Sequence, residues 1–223
     1  MNKLFVYGCS FSVGFNDFQR PINPKYSWPY LLSNKLKHPL ALRAWPGYGW
    51  NQINYMIDND LLGYQVNYDA DDLGRKGIKF ISDKLSQKDI IIISPSYFDR
   101  IRLKELRNTE DTQIEVVARY GKELLEMVTM QMNSFKAKVN LLNEAGYRTL
   151  GWTWFGYDDF DTSDCKYLIP APDGTNYFQT WMEKNVKYNL IPGDTHFNEA
   201  GHEFLADYFF NFIRDGKTLD LWR

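Results

Sequence analysis

Short apolar runs alternate with amphipathic stretches along most of the chain. Residues 3–8 (KLFVYG), 40–45 (LALRAW), 89–94 (DIIIIS) and 147–153 (YRTLGWT) each have about the length of a strand, and turn-forming or small residues follow each of them. Ile90, Ile91, Ile92 and Ile93 form an unbroken apolar run, which suits a central parallel strand covered on both faces. Between the runs lie segments with helical periodicity: 27–37 (SWPYLLSNKLK), 50–61 (WNQINYMIDNDL), a piece around 74–86, and a long stretch over 114–146. In the last, Leu125, Val128, Met132, Phe135, Val139 and Leu142 recur at steps of three and four, and Gly146 stops the helix. Met127, Met130 and Met132 are expected to pack there rather than to bind a ligand. A final helix over 198–216 starts at Asn198 as its N-cap and ends at Gly216.

Strands alternating with helices predict an α/β protein, a three-layer α/β/α sandwich around a mostly parallel central sheet with right-handed crossovers. With 223 residues, one domain spanning 1–223 is expected. Two irregular stretches interrupt the alternation, 62–75 and 156–178, and the second is long enough to close over a ligand.

Composition narrows the partners. The net charge of -2 leaves no basic excess for a phosphate backbone, so nucleic acid is disfavoured. No apolar stretch approaches the roughly 18 residues of a membrane span, and the run before Cys9 is too short for a secretory signal. Cys9 and Cys165 form neither a metal pair nor a disulfide framework, which favours a reducing compartment. Aromatics make up 17 % of residues; core filling accounts for most such rings, and stacking on sugars is a further use for exposed ones.

The chemistry-bearing residues cluster at strand ends and before the last helix. Cys9, Ser10 and Ser12 follow the first strand, at the sheet edge where ligands of open α/β folds bind. Ser10 is there a candidate nucleophile or a simple cap. In IPGDTHFNEAGH (191–202), Asp194 stands two residues before His196, and in extended chain the two side chains point the same way. An Asp so placed would hold the imidazole in the tautomer that accepts a proton from a serine. His202, on the final helix, is expected to pack or cap, and Asp194, His196 and His202 lack a further metal ligand. The phosphate-loop pattern and the dinucleotide-binding glycines are absent.

Three blocks, VYGCSFS, WPGYGWNQI and GDTHFNEAGH, taken in that order resemble the SGNH hydrolase (GDSL-type esterase) superfamily, most of all its divergent phage and bacterial branch. The resemblance implies a flavodoxin-like α/β/α sandwich that hydrolyses esters, often acyl groups on carbohydrates or lipids, with no metal or other cofactor. A cytoplasmic or virion-associated protein acting on a small-molecule or carbohydrate ester is expected. By the same resemblance Ser10 is the nucleophile, His196 the general base and Asp194 the orienting acid, while the N–H groups of Ser10 and Gly47 form the oxyanion hole.

The sequence departs from the family pattern in three places. Cys9 replaces the usual Asp or Asn before the nucleophile. The carboxylate stands at Asp194, two residues before His196, where the family spacing is three. The third block, normally Gly-x-Asn-Asp, reads Ser94 at the glycine position and Ser96 at the asparagine position. Ser96 is the replacement donor expected in the oxyanion hole, with the Asn51 amide as a second source, and Arg100 is placed to bind a substrate carboxylate or phosphate or to pair with an acid of the chain. The rival to an esterase is a protein of the same fold that binds carbohydrate or serves structurally without catalysing.

Overall fold

The computed structural model describes residues 2–13, 24–44, 48–63, 84–95, 98, 113–154, 161–188 and 196–215. Each of the apolar runs holds a strand: β1 (Leu4–Gly8), β2 (Leu40–Ala44), β3 (Ile90–Ser94) and β4 (Arg148–Gly151). All pairings are parallel, in the order β2-β1-β3-β4. The helices are α1 (Trp28–Leu36), α2 (Trp50–Leu62), α3 (Gln113–Glu144), α4 (Gln179–Lys184) and α5 (Glu199–Arg214). The sandwich expected from the alternation is therefore the observed fold. Among the described residues no helix is long and apolar enough to cross a membrane.

Side chains of the two central strands divide by parity between two cores, as a pleated strand requires. Leu4, Val6, Ile90 and Ile92 face a layer built by Trp28 and Leu32 of α1 and Leu205, Phe209 and Ile213 of α5. Phe5, Tyr7, Ile91 and Ile93 face the opposite layer, with Ile53, Met56 and Ile57 of α2 and Val128, Met132, Phe135, Val139 and Leu142 of α3. Burial on both faces is why these strands are apolar throughout instead of alternating. Met130 departs from the expected packing: it lies on the outer side of α3 and is 70 % exposed.

Helix ends follow local chemistry. Gly146, at φ 86°, closes α3: its N–H reaches the Asn143 carbonyl and the next N–H, of Tyr147, reaches that of Leu142. Lys37 at φ 56° does the same for α1 without a glycine, and His38 N–H reaches the Ser33 carbonyl at 3.0 Å. Two expectations change. Residues 84–86 are not helical, and the rest of the piece around 74–86 lies outside the described residues. Asp215 caps α5, just short of the expected end at Gly216.

The 161–178 part of the second irregular stretch packs as an extension of the sheet edge. Ile169 N–H bonds the Gly151 carbonyl at 2.7 Å, Gly151 N–H bonds the Tyr167 carbonyl, and Phe178 N–H bonds that of Thr153. Ile169, Ala171 and Phe178 are buried in the α1/α5 core, and Lys136 of α3 holds the segment through the Asp161 carbonyl and the Asp164 carboxylate. The stretch was free to look like a loop in sequence because its bonds to the β4 edge are isolated bridges, too few to impose strand periodicity. α4, absent from the sequence reading, is only six residues long and follows directly on this segment.

A charged group sits wholly inside the α2 side. Asp60 of α2 is fully buried; its carboxylate accepts from the Tyr7 hydroxyl at 2.7 Å and from Arg43 Nε at 3.1 Å. Removing one member of such a pair strands the other charge in a dry site. Asp60→Ala is expected to lower stability by about 3–5 kcal/mol, and adding Arg43→Met should recover most of that loss. Urea unfolding of the three proteins checks this; an Asp60→Ala midpoint close to the parent's would contradict it.

Candidate active site

The strand order reverses between β1 and β3, the place where open parallel sheets bind ligands beyond their carboxyl ends. In register, Gly8 stands beside Ala44 on one side and Ser94 on the other, so three strand ends are level there. The chain leaves β1 through Cys9 into a single 3-10 turn, Ser10–Ser12. Gly8 is required for that exit: a Cβ on it would lie 2.3 Å from Ser12 Oγ. With the side chain absent, Ser12 folds back over the strand end and its hydroxyl donates to Ser94 Oγ at 3.2 Å, stitching the turn to β3.

This turn meets the segment before α5. Ser10 Oγ lies 3.0 Å from His196 Nε2, joining residues 186 positions apart. With its proton on Nδ1, the imidazole accepts from the hydroxyl, the arrangement in which it serves as a base. The turn's own ladder uses the N–H groups of Ser12 and Val13, which bond the Cys9 and Ser10 carbonyls, and does not use that of Ser10. That N–H is a donor of the kind an oxyanion needs.

His196 stands just before a firmly capped helix. α5 begins as expected at Asn198, whose side chain accepts from Gly201 N–H at 2.9 Å. Asn198 also donates to the Lys187 carbonyl, and its own N–H bonds that of Tyr188, so the entry to α5 is pinned to the 186–188 turn. Gly201 permits this approach, since a Cβ there would stand 2.7 Å from the Tyr188 carbonyl oxygen. His202 caps, as expected, but it caps another helix: its Nδ1 accepts from the backbone N–H of Trp28, the first residue of α1, at 3.2 Å.

Of the residues predicted from sequence, the structure brings Ser10 and His196 together. Asn51 is exposed on the first turn of α2 and makes no hydrogen bond to either. Asp194, Gly47, Ser96 and Arg100 lie outside the described residues. Cys9 is fully buried at the entrance to the turn. What the sequence reading missed is aromatic. The Phe11 ring stacks on the His196 imidazole, with centroids 4.6 Å apart and planes within 8°, and Trp154 stacks against Phe11 at 4.4 Å. Trp28 donates its indole N–H to the Phe11 carbonyl at 3.1 Å. Trp152 and Trp154 share a face by their spacing, a visible signal, but nothing in the sequence says which face of which turn they meet.

Comparison with known proteins agrees on the fold. The esterase EstA of Pseudoalteromonas sp. superposes with a TM-score of 0.54 at 14 % identity, over 96 % of this chain and 98 % of its own. The acetyl xylan esterase Est2A of Butyrivibrio proteoclasticus gives 0.50 at 12 % identity; it covers all of this chain, which spans 65 % of Est2A. A protein assigned to the G-D-S-L lipolytic family from Desulfitobacterium hafniense DCB-2 gives 0.47 at 12 % identity, over 95 % of this chain and 99 % of its own. No protein-family model matches the sequence, and no curated protein does. The all-parallel sheet flanked by helices matches the SGNH-type hydrolase fold of EstA. That is the fold of this chain.

The buried His202 links the site to pH. Desolvation, helped by the nearby His196, pushes its pKa down from 6.5 to about 3. Between those values the unfolded chain binds a proton that the folded protein does not, so this group makes stability fall as pH drops from about 6.5 toward 3. His202→Asn keeps an acceptor near the Trp28 N–H and removes the titration. Melting temperatures recorded from pH 7 to pH 4 should therefore fall less steeply in the variant, and parallel curves would refute the assignment.

Proposed function

We propose that the protein is an SGNH-type serine ester hydrolase acting on an O-acyl carbohydrate or another small ester. The observation that carries this is the 3.0 Å approach of Ser10 Oγ to His196 Nε2 at the switch point of the sheet. In the proposed reaction Ser10 Oγ bonds to the ester carbonyl carbon while its proton passes to His196 Nε2. The oxyanion so formed takes a hydrogen bond from the Ser10 N–H, with Gly47 and Ser96 or Asn51 as the further donors. Collapse expels the alcohol, which leaves with the proton from His196. Water then attacks the acyl-enzyme, giving its proton to the same nitrogen, and the carboxylic acid departs as Ser10 regains its hydrogen.

Asp194 is the proposed orienting acid, and Arg100 the proposed contact for an anionic group on the substrate. The carbohydrate ester is favoured because Est2A, which shares the fold, is an acetyl xylan esterase. The replaced third block favours a second reading, a non-catalytic carbohydrate-binding or structural protein: an oxyanion-hole donor typically contributes about 2.7–4 kcal/mol. Ser94, at the family's glycine position, is already engaged with Ser12.

Fluorophosphonate labelling followed by intact mass separates the two. Wild type should take up one label, Ser10→Ala none, and His196→Ala should react at least about 10³-fold more slowly. Release of acetate from acetylated xylan should follow the same order. An unlabelled wild type beside a fully labelled control esterase would decide for the non-catalytic reading.

A further inference from the structure

We propose that Phe11, backed by Trp154, is a positioning residue that fixes the plane of the His196 imidazole and stabilises the imidazolium that forms as Ser10 attacks. This rests on the serine-hydrolase reading and adds a role that Ser10, His196 and Asp194 do not cover. The two rings lie face to face, 4.6 Å apart and 8° from parallel. That places the imidazole over the ring's negative face, inside the roughly 6 Å range of cation–π attraction. Neutral imidazole gains little from this face. Imidazolium gains more, and imidazolium is what forms as Ser10 attacks, so the contact strengthens toward the transition state.

The platform cannot turn away. Phe11 is 2 % exposed, its far face is covered by Trp154 at 4.4 Å, and Phe197 meets it edge-on with planes at 75°. Its carbonyl is fixed by the Trp28 indole. Trp154 is in turn braced by Phe197 and Trp152, both near perpendicular. Because Phe11 directly follows Ser10, the turn that presents the hydroxyl also presents the ring. Hydroxyl and imidazole plane are thus set by the same three residues, and only rotation within that plane remains to aim Nε2.

Among the groups near His196 are the Ser10 hydroxyl and His202 of α5, which burial keeps neutral. His202 and Asp194 are common to every protein compared.

Two variants test the proposal. Phe11→Leu keeps apolar volume without a π face; pentafluorophenylalanine at position 11 keeps the ring and its stacking shape while reversing its quadrupole. The readouts are the ring-current shift of the His196 Cε1–H signal, assigned against His196→Ala, and the rate constant of fluorophosphonate labelling. Phe11→Leu should lose the ring-current shift that the pentafluoro ring keeps, and both variants should slow labelling about three- to tenfold. A pentafluorophenylalanine protein matching wild type in both readouts would overturn the proposal and reduce Phe11 to packing, even if Phe11→Leu proved too unstable to compare. Should wild type not label at all, the hydrolase reading fails on that result, while the ring-current shift still reports the stack.

Discussion

Trp28 ties the two ends of the chain together, and the candidate site depends on that tie. Its backbone N–H donates to His202 on α5, and its indole N–H donates to the carbonyl of Phe11 in the turn after β1. The side chain is fully buried, edge-on to Trp152 and Phe209. One residue therefore sets the distance between the first strand's exit and the last helix, which is the distance Ser10 and His196 must span. A 3.0 Å hydrogen bond tolerates little slack, so the site draws precision from a buried tryptophan whose backbone and indole N–H groups are both satisfied.

The other half of the geometry comes from the sheet. β1 is flanked by strands on both edges and buried on both faces, which leaves the chain one way out, beyond the carboxyl end. A side chain at position 8 would block the return of Ser12, and without Ser12 over Ser94 the turn would lose its anchor on β3. Glycine there is thus a requirement of close approach, not of backbone torsion, since its φ is not among the positive ones. Behind the opposite face, the buried Asp60 joins Tyr7 of β1 to Arg43 of β2, fixing strand and helix by charge where the site side is fixed by aromatic packing.

Most of this architecture was legible in the sequence, for a physical reason. Ile90 to Ile93, the stripe from Val128 to Leu142 and the Asn198 cap are signals carried by neighbours in the chain, and periodicity reports such signals directly. The 161–178 segment defeated the same reading because its order comes from contacts with β4, α3 and α5, all remote in sequence. At the site, Ser10 and His196 were recognisable because their chemistry and position are unusual together. Phe11 was not, although it adjoins Ser10: an aromatic residue in a turn carries no mark of the ring it will meet 185 positions later. His202 shows the middle case. Its capping role was expected, but the helix it caps was not, since a cap acting through space leaves no spacing to read.

An imidazole walled by apolar rings faces opposing demands. Burial disfavours the imidazolium that general-base chemistry needs, as the depressed pKa of His202 shows for the fully enclosed histidine of the pair. His196 is only half-buried, and it meets its wall through the face of an aromatic ring rather than through aliphatic carbon. A ring face is apolar toward water but attractive toward a cation, so it can shield the site without charging the full desolvation cost against the reactive state. His202, six residues on and inside the first turn of α5, is kept neutral as a cap, whereas in the proposed reaction His196 is the residue that takes the serine proton. In the proposed reaction this also relaxes the demand on the acid. A carboxylate two rather than three residues from the histidine has less to do if the plane of the ring is already set from the other side.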